Sequence, residues 1–286
     1  MFTAKIQNKD GLEYVLTGNE PVYQLINIKG LNPPSAQINT SETVGLDGQL
    51  FNSAWLETRD IVLTIRINGN VERNRLNLYN LFRTKEKCRF YYKNDNRDVY
   101  IDGYVEKVEC DLFTKSEKAQ ISILCPDPFF RSVEQYATEI SSTVAAFSFP
   151  FSIEDDDPVA FSYFDADSVA DVYNDSSTEN GAIIDLYFTD SVSTVIIRNT
   201  VTGQELKLNY AFLAGDRVTV NTNKGHKSIT MTRNGVETNI FTALVKGSVF
   251  FQLAAGDNFF GYLADGGSSN QKVYITFYHD TIYRGV

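Results

Sequence analysis

Histidine and cysteine, the side chains best suited to proton transfer and nucleophilic attack near neutral pH, are scarce in this sequence. There are two His and three Cys among 286 residues. His279 precedes Asp280, which could form a general base with an orienting carboxylate, but adjacent residues of a strand point to opposite faces. No GxSxG or HExxH motif accompanies them. The sequence therefore predicts a protein that is not an enzyme and needs no cofactor.

The three cysteines, Cys88, Cys110 and Cys125, have spacings that match neither a zinc site nor a CxxC redox motif. They lie among strand-like residues, which predicts small buried thiols in a protein made in a reducing cytoplasm. The first residues show no secretory signal pattern, and no run approaches the ~18 apolar residues that a membrane span needs. The sequence thus predicts no cleaved signal peptide and no membrane partner.

Carboxylates are abundant and could be suspected of binding calcium, because they cluster in residues 154–157 and again from Asp165 onward. An EF-hand loop that started at Asp165 would need Gly at its sixth position and Glu at its twelfth. The sequence has Ala170 and Ser176 there. The spacing therefore favours a solvated acidic loop over a metal site.

The net charge of −10 is distributed unevenly along the chain. Residues 1–133 carry 17 basic and 17 acidic side chains, whereas residues 134–286 carry 9 and 19. An acidic surface repels phosphate backbones, so the second half disfavours direct binding to nucleic acid. Pro126 and Pro128 end a strand-like segment just before the charge balance changes. Together these features predict two domains, residues 1–133 and residues 134–286.

Alternation of apolar and polar residues predicts a mostly β protein. In the first half, residues 61–67, 99–108 and 119–125 alternate in this way, and one amphipathic helix is predicted over residues 73–83. In the second half, Asn234-Gly235 predicts a tight hairpin turn. Seven short strands separated by turn residues predict an antiparallel sandwich there. These strands are residues 183–188, 194–198, 205–212, 217–222, 228–233, 249–253 and 272–278.

A long segment near the amino terminus, residues 29–50, contains Pro33, Pro34 and Asp47-Gly48. Two prolines remove donors from a strand ladder, so the segment is predicted to be a loop or projecting arm and not a central strand. Long segments of this kind in compact domains are often contact elements. Arg59-Asp60 follows at the entrance of a predicted strand. We therefore predict that Pro33, Pro34, Asp47, Arg59 and Asp60 are assembly contacts.

A basic run in residues 83–93 is interleaved with aromatic side chains and superficially resembles a nucleic-acid-binding surface. Three aspartates follow at once, Asp95, Asp98 and Asp102. This mixture of signs favours a polar strand face or a subunit contact.

Taken in order along nearly the whole chain, these segments resemble the distal tail protein family of phages with long non-contractile tails. The resemblance rests on the order of eight segments and on the proline-rich junction that ends the first half. The segments are Arg59-Asp60 and residues 75–83, 103–106, 121–129, 213–222, 225–228, 253–258 and 283–286.

The resemblance implies an amino-terminal β-sandwich with one helix and a projecting loop, followed by a galectin-like carboxyl-terminal β-sandwich. It implies that residues 1–133 form a hexameric ring at the tail tip, in a virion assembled in the bacterial cytoplasm. The ring would join the tail tube protein to the tail-tip hub protein and, in many members, carry receptor-binding proteins. The alternative is a host-surface adhesin whose outer sandwich binds glycan. The one Trp of the chain, Trp55, lies outside that sandwich, and a fold alone does not give a sugar site.

Overall fold

A computed structural model describes residues 2–45, 47–111, 114, 117–140, 143–145, 162–164, 169–264 and 272–286. The chain divides into two compact units, one of residues 1–134 with 282–286 and one of residues 135–281. The predicted mostly β class, with one α-helix in the described residues, is confirmed. The return of residues 282–286 to the first unit is not predicted by the sequence. The acidic residues 154–157, Asp165 and Asp167 lie outside the described residues.

Most of the first unit is an antiparallel sheet in the strand order β2-β1-β7-β8-β9-β6-β3. A tenth strand, β10 (Phe130–Ile140), contains the boundary between the two units. The elements are β1 (Thr3–Asn8), β2 (Glu13–Leu16), β3 (Tyr23–Lys29), β4 (Ala36–Ser41), β5 (Leu50–Leu56), β6 (Arg59–Ile67), α1 (Val71–Leu81), β7 (Lys87–Lys93), β8 (Asp98–Cys110) and β9 (Lys118–Cys125).

The core of the first unit follows from the alternation seen in its sequence. On β6, Ile61, Leu63, Ile65 and Ile67 are all buried in one apolar cluster with alternate residues of β7, β8 and β9. Because side chains alternate between the two faces of a strand, the intervening residues face outward. The strands predicted at residues 61–67, 99–108 and 119–125 are therefore confirmed.

The helix α1 begins two residues earlier than predicted because Asn70 caps it. The Asn70 side chain accepts a hydrogen bond from the Arg73 backbone N–H at 3.2 Å, which satisfies a free donor of the first turn. Leu78 and Phe82 are buried in the core of the unit. The helix is also attached to β3, since the hydroxyl of Tyr23 donates to the Asn74 carbonyl at 2.8 Å.

The second unit is built from two antiparallel sheets, of strand order β19-β18-β17-β14-β21 and β13-β20-β15-β16, and from a separate pair of short strands, β11 and β12. A 3₁₀ helix, Phe241–Ala243, follows β19. The strands are β11 (Thr143–Ala145), β12 (Ser162–Phe164), β13 (Ala170–Asp171), β14 (Ile183–Phe188), β15 (Val192–Asn199), β16 (Glu205–Phe212), β17 (Arg217–Asn221), β18 (Ser228–Arg233), β19 (Val236–Asn239), β20 (Phe259–Ala264) and β21 (Val273–Tyr283).

Aromatic side chains join the two sheets of the second unit into a sandwich. The ring centroids of Phe188 on β14 and Phe212 on β16 are 4.3 Å apart, and those of Phe260 on β20 and Phe277 on β21 are 4.8 Å apart. These rings belong to one buried cluster that draws on both sheets. The predicted antiparallel sandwich is confirmed. No helix in the described part of the chain has the length and hydropathy that crossing a bilayer requires.

Two sequence predictions in the second unit have opposite outcomes. The Asn234-Gly235 turn joins β18 to β19, with φ of 52° at Asn234 and 77° at Gly235, as a tight hairpin turn requires. The prediction of a strand at residues 249–253 is wrong, because the structure has no strand there. Its backbone N–H groups bond to two different partners, Val249 to Glu205 O at 2.8 Å and Leu253 to Asn180 O at 2.7 Å, so no single ladder continues along it.

Candidate assembly interface

The segment predicted as a loop or projecting arm folds largely as an antiparallel hairpin. Its strands β4 and β5 pair with each other from Ala36↔Leu56 to Ser41↔Leu50, and neither pairs with another strand in the described residues. We call residues 36–56 the hairpin arm. All side chains of its two strands are exposed except half-buried Leu56. Because an isolated two-stranded hairpin is marginally stable at best, the arm needs packing that the described part of its own chain does not supply.

The strands of the hairpin arm present apolar side chains and no charge. They read AQINTS and LFNSAWL, and Ile38 is 61% exposed, Phe51 67% and Trp55 54%. Exposed strand edges are usually protected from pairing with other chains by Lys, Pro, bulges or covering elements. The arm has a bulge between Asn39 and Thr40, but its strands contain neither Lys nor Pro. Such a surface is suited to being covered by another protein.

Residues 30–35 connect β3 to β4, and we call them the base of the hairpin arm. The base lies so close to β6 that its first position requires glycine. Gly30 has a φ of 92°, and a Cβ built on it would lie 2.0 Å from the backbone oxygen of Asp60. Any other residue would combine a strained left-handed conformation with a severe clash. The backbone of Asp60 therefore determines where the chain leaves β3 to enter the arm.

The guanidinium group of Arg59 lies beneath this base and is 3% exposed. Its Nε donates to the Pro128 carbonyl at 2.7 Å, and its Nη1 donates to the Gly30 carbonyl and to the Asn32 carbonyl at 2.5 Å. Its Nη2 donates to the Arg284 carbonyl at 2.5 Å. Burial lowers the pKa of Arg59, an effect that the neighbouring Cys125 opposes. Four carbonyl dipoles thus take the place of the water that a buried cation would lose.

Phe130 completes this environment, since the Arg59 guanidinium lies 4.5 Å from the centre of its ring. A cation over an aromatic face is stabilised by the ring quadrupole, and more so when both groups are desolvated. Phe130 is itself fully buried. Arg59 is therefore a buried residue that connects three parts of the first unit through hydrogen bonds, and we call this its internal tie.

An apolar groove runs beside β3 in the same unit. It encloses about 240 Å³, and only one of its lining side chains, Asn27, is an amide, the others being apolar or aromatic. A bulge between Leu25 and Asn27 leaves Ile26 exposed. β6 is the only strand of the described residues that pairs with β3, although the Leu25 N–H also donates to the carbonyl of Thr17, just after β2, at 2.9 Å. The lining residues are Phe2, Leu25, Ile26, Asn27, Ile28, Leu31 and Tyr92.

The outward faces of β1, β7 and β8 carry the basic run singled out in the sequence, and carboxylates pair with it. Arg89 donates to both oxygens of Asp102, from Nε at 2.6 Å and from Nη2 at 3.1 Å. The Lys87 Nζ lies 3.0 Å from Asp102, and the Lys93 Nζ lies 2.6 Å from Asp98. We call this face the charge ladder. It consists of Lys5, Lys87, Arg89, Tyr91, Lys93, Asp98, Tyr100 and Asp102. Its basic residues are largely neutralised within the chain.

Aromatic rings alternate with these charges. The Arg89 guanidinium lies 4.1 Å from the Tyr100 ring centre, and the Lys5 ammonium lies 4.2 Å from that of Tyr91. Burial opposes ionisation of Asp102, but its hydrogen bonds with Arg89 and Lys87 outweigh burial and lower its pKa. The hydrogen bond with Asp102 in turn raises the pKa of Arg89. The charge ladder thus satisfies its own polar groups.

Two family models match the chain, one in each half. The model described as a phage tail protein RIFT-related domain matches residues 9–125. The model described as a siphovirus-type tail component, C-terminal domain, matches residues 175–279. The chain belongs to the distal tail protein family of siphophages. It is a structural component of a phage tail and hence of the virion.

Solved structures of this family and of phage baseplates share the fold. The Dit protein of phage SPP1, described as a paradigm of the hub adsorption apparatus in phages that infect Gram-positive bacteria, has a TM-score of 0.70 and 15% identity over 98% of this chain and 99% of that chain. A chain of the phage P2 baseplate, in its activated conformation with Ca, has a TM-score of 0.58 and 13% identity over the full length of both chains. A chain of the same baseplate with Sr has a TM-score of 0.56 and 13% identity over 98% of both chains. No curated protein sequence matches the chain.

The five residues predicted as assembly contacts occupy different places in this distal tail protein. Pro33 is exposed and Pro34 half-buried at the base of the hairpin arm, and Asp47 is exposed in its turn. Arg59 is buried, whereas Asp60 is exposed. Consecutive strand positions point to opposite faces, and no ion pair joins Arg59 to Asp60. Their role in assembly stays a prediction.

Sequence reasoning missed the apolar residues of the hairpin arm, Ile38, Phe51 and Trp55. The signal that could have found them is the absence of any charged residue in residues 50–56, a strand-like run next to the proline-containing segment. It also missed the carbonyl groups that surround Arg59. No local pattern could have found those, because Arg59 and Arg284 are 225 positions apart.

The residues considered for chemistry are buried or half-buried within their own units. His279 is 3% exposed and stacks on Tyr136, with ring centroids 5.5 Å apart. Burial lowers its pKa, and Asp280, at the next position of β21, opposes that effect. Burial raises the pKa values of Cys88 and Cys125 to about 12, so both remain protonated thiols at neutral pH. Cys110 is half-buried.

Proposed function

We propose that this distal tail protein forms a hexameric ring at the tail tip, which joins the tail tube protein to the tail-tip hub protein and anchors receptor-binding proteins. The observation that carries the proposal is the hairpin arm, whose strands expose Ile38, Phe51 and Trp55, carry no charge and pair with no other strand of the described residues. In a ring every copy has the same arm and the same surface to receive it. Such a head-to-tail contact closes into a ring when the rotation that relates neighbouring copies returns to the first copy after a whole number of steps.

The groove beside β3 supports a specific mode of contact between copies. It is apolar, it is uncharged, and it borders a strand edge without a partner strand in the described residues. A hairpin arm from a neighbouring copy would extend the sheet beyond β3 while its aromatic side chains fill the groove. Strand addition of this kind takes affinity from backbone hydrogen bonds and specificity from side-chain pockets.

We assign ring formation to residues 1–133 and an outer, galectin-like role to residues 134–286. The charge distribution supports this assignment, because the first segment is neutral and the second holds the whole net charge of −10. Six acidic domains packed side by side would repel one another, whereas six neutral ones would not. Pro33, Pro34, Asp47 and Asp60 then line or orient the contact, and Arg59 acts from inside the unit. Synthesis takes place in the host cytoplasm, and the mature location is the virion.

The test is assembly of the full chain with two glutamates in the hairpin arm, Phe51→Glu with Trp55→Glu. The control is Tyr173→Glu, in the second unit, because Tyr173 is as exposed as Trp55. Over a range of rising concentration, sedimentation velocity and electron micrographs should show rings for the wild type and the control but monomers for the double variant. In phage complementation, the double variant should fail to enter tails. Rings of normal symmetry from the double variant would exclude the arm as the contact.

A second candidate function, binding of cell-surface glycan by the outer sandwich, is favoured by one observation. Tyr187 on β14 and Tyr274 on β21 lie directly opposite each other and are both exposed. Beside them, Arg217 donates to Asp185 at 2.7 Å. Aromatic faces next to charged hydrogen-bonding groups can bind a sugar ring. A glycan array probed with the full chain and with Tyr187→Ala/Tyr274→Ala should show signal lost in the variant if this function holds.

A further inference from the structure

Residues 282–286, which follow most of β21, pack on the first unit at the base of the hairpin arm. The Val286 N–H donates to the Leu31 carbonyl at 3.1 Å. A Cβ built on Gly285 would lie 3.1 Å from the same carbonyl and 3.1 Å from Pro33. The Tyr283 ring lies 3.9 Å from the Arg97 guanidinium. This short segment therefore lies against the residues that connect β3 to the arm.

Arg59 links that segment to the base of the arm from beneath. Its donors reach three separate parts of the chain: the base at Gly30 and Asn32, the junction at Pro128, and Arg284. All four of these acceptors are backbone carbonyls, so the hydrogen bonds do not depend on the side chains at those positions. If any of the three segments moved away, a buried guanidinium N–H would lose its partner, which costs more than a surface hydrogen bond.

The geometry is specific for arginine. A guanidinium group is a planar fork with five N–H donors in fixed directions, whereas a lysine ammonium is a compact point charge with three. A lysine at position 59 could keep the charge but could not reach carbonyls on three sides at once. A guanidinium group can also stack on an aromatic face, and that of Arg59 lies 4.5 Å from the centre of the Phe130 ring.

We propose that Arg59 and residues 282–286 form a clasp that fixes the direction of the hairpin arm, with Arg59 as its positioning residue. The clasp holds residues 30–32 on one side and residues 282–286 on the other, so the arm leaves the first unit at a set angle. Its value to assembly rests on the proposed function of the arm. The clasp itself is a property of the isolated chain and can be tested there.

Trp55 provides the readout, because it is the only Trp of the chain and lies on β5 of the hairpin arm. The experiment compares wild type, Arg59→Lys and a chain lacking residues 284–286, all at concentrations where they are monomeric. The control is Arg66→Lys on the same strand, where the exposed side chain makes one long contact, 3.4 Å from Nη1 to the Gln24 amide oxygen. The measurements are Trp55 fluorescence anisotropy and hydrogen exchange of residues 30–57 by mass spectrometry.

Both clasp variants should lower the Trp55 anisotropy and speed amide exchange at residues 30–41 and 50–57 by about tenfold, as expected when one or two hydrogen bonds to a charged group are lost. Exchange in β7, β8 and β9 should stay at the wild-type rate, which a general loss of stability would not allow. Arg66→Lys should match the wild type. The proposal is overturned if the arm exchanges at the wild-type rate in the truncated chain, or if all strands of the first unit accelerate together.

These measurements need no ring, so they separate failure of the clasp from failure of the proposed function. A loosened arm in variants that still form rings would uphold the clasp and remove its proposed role in assembly. An arm that stays fixed in both variants would overturn the clasp and leave the ring proposal standing.

Discussion

The hairpin arm and the charge ladder are both solvent-exposed β surfaces of the first unit, but their chemistry is opposite. The ladder lies on the outer side of strands whose inner side is the core, and its cations are paired with carboxylates of neighbouring strands. The arm has two exposed faces, apolar side chains and no charge in its strands. A surface destined for water satisfies its polar groups internally, whereas a surface that needs a partner leaves apolar area uncovered.

The largest expected difference between the two surfaces is in the loss of stability when a glycine of each is replaced by alanine. Gly103 of β8 faces the core beneath the ladder, and a Cβ there would lie 2.6 Å from Ile123 Cγ2 and 2.9 Å from the Leu124 carbonyl oxygen. Overpacking of this kind should lower the free energy of unfolding by about 1–3 kcal/mol in Gly103→Ala. Scanning calorimetry would register it as a lower melting temperature of the first unit.

The matched control is Gly48→Ala in the turn of the hairpin arm. Gly48 has a φ of 88° but nothing within 4 Å of the added Cβ, so only local strain in the turn results. Because the arm does not share the core, the melting temperature of the unit should not change. An equal loss of stability in both variants would mean that the arm is part of the cooperative fold, and the contrast between the two surfaces would fail.

The next effect concerns the carboxylate at the centre of the ladder. Asp102→Asn removes the charge that pairs with Arg89 and Lys87. The expected loss is about 1 kcal/mol, the upper end for ion pairs that are partly exposed, because one of the two contacts is bidentate. Urea denaturation at neutral pH would measure it. A variant as stable as the wild type would show that the ladder contributes solubility and not stability.

A third effect is the pH dependence of that contribution. The pKa of Asp102 is lowered in the folded state, so the unfolded state takes up the proton first as the pH falls. The stability that Asp102 adds is thus complete above its unfolded value of about 3.9 and disappears as the pH falls through the lower folded value. The difference in melting temperature between wild type and Asp102→Asn should be constant above pH 5 and shrink in more acidic buffers. A difference that grew on acidification would reverse the assigned sign.

The smallest expected effect is on the stability of the isolated chain when the arm becomes polar. Phe51→Ser and Ile38→Ser each remove a side chain that is already exposed, so the free energy of unfolding should change by less than about 0.5 kcal/mol. Ring formation should weaken in both. Denaturation curves and sedimentation of the same samples would check the two statements together. A large loss of stability without any loss of assembly would contradict the proposed role of the arm.

Local pattern predicted the core strands and the helix because each depends on residues close in sequence. The alternation of Ile61, Leu63, Ile65 and Ile67 defines the buried face of β6 wherever that strand lies. The Asn234-Gly235 turn needs only two adjacent residues that accept positive φ. Residues 249–253 are also rich in apolar residues but are irregular, because their backbone partners come from two different segments and no local signal reports which partner is present.

Sequence by itself determined the mostly β class, the amphipathic helix and the acidic second half of this distal tail protein, and it marked residues 29–50 as a loop or projecting arm. Tertiary structure alone decided that Arg59 is an internal tie and that residues 282–286 belong to the first unit. It also decided that the basic run of β7 is paired with Asp98 and Asp102 across a strand boundary. The physical reason is that periodicity reports only which side of a strand is apolar. The partner of a charged group depends on strands that folding brings together from distant parts of the chain.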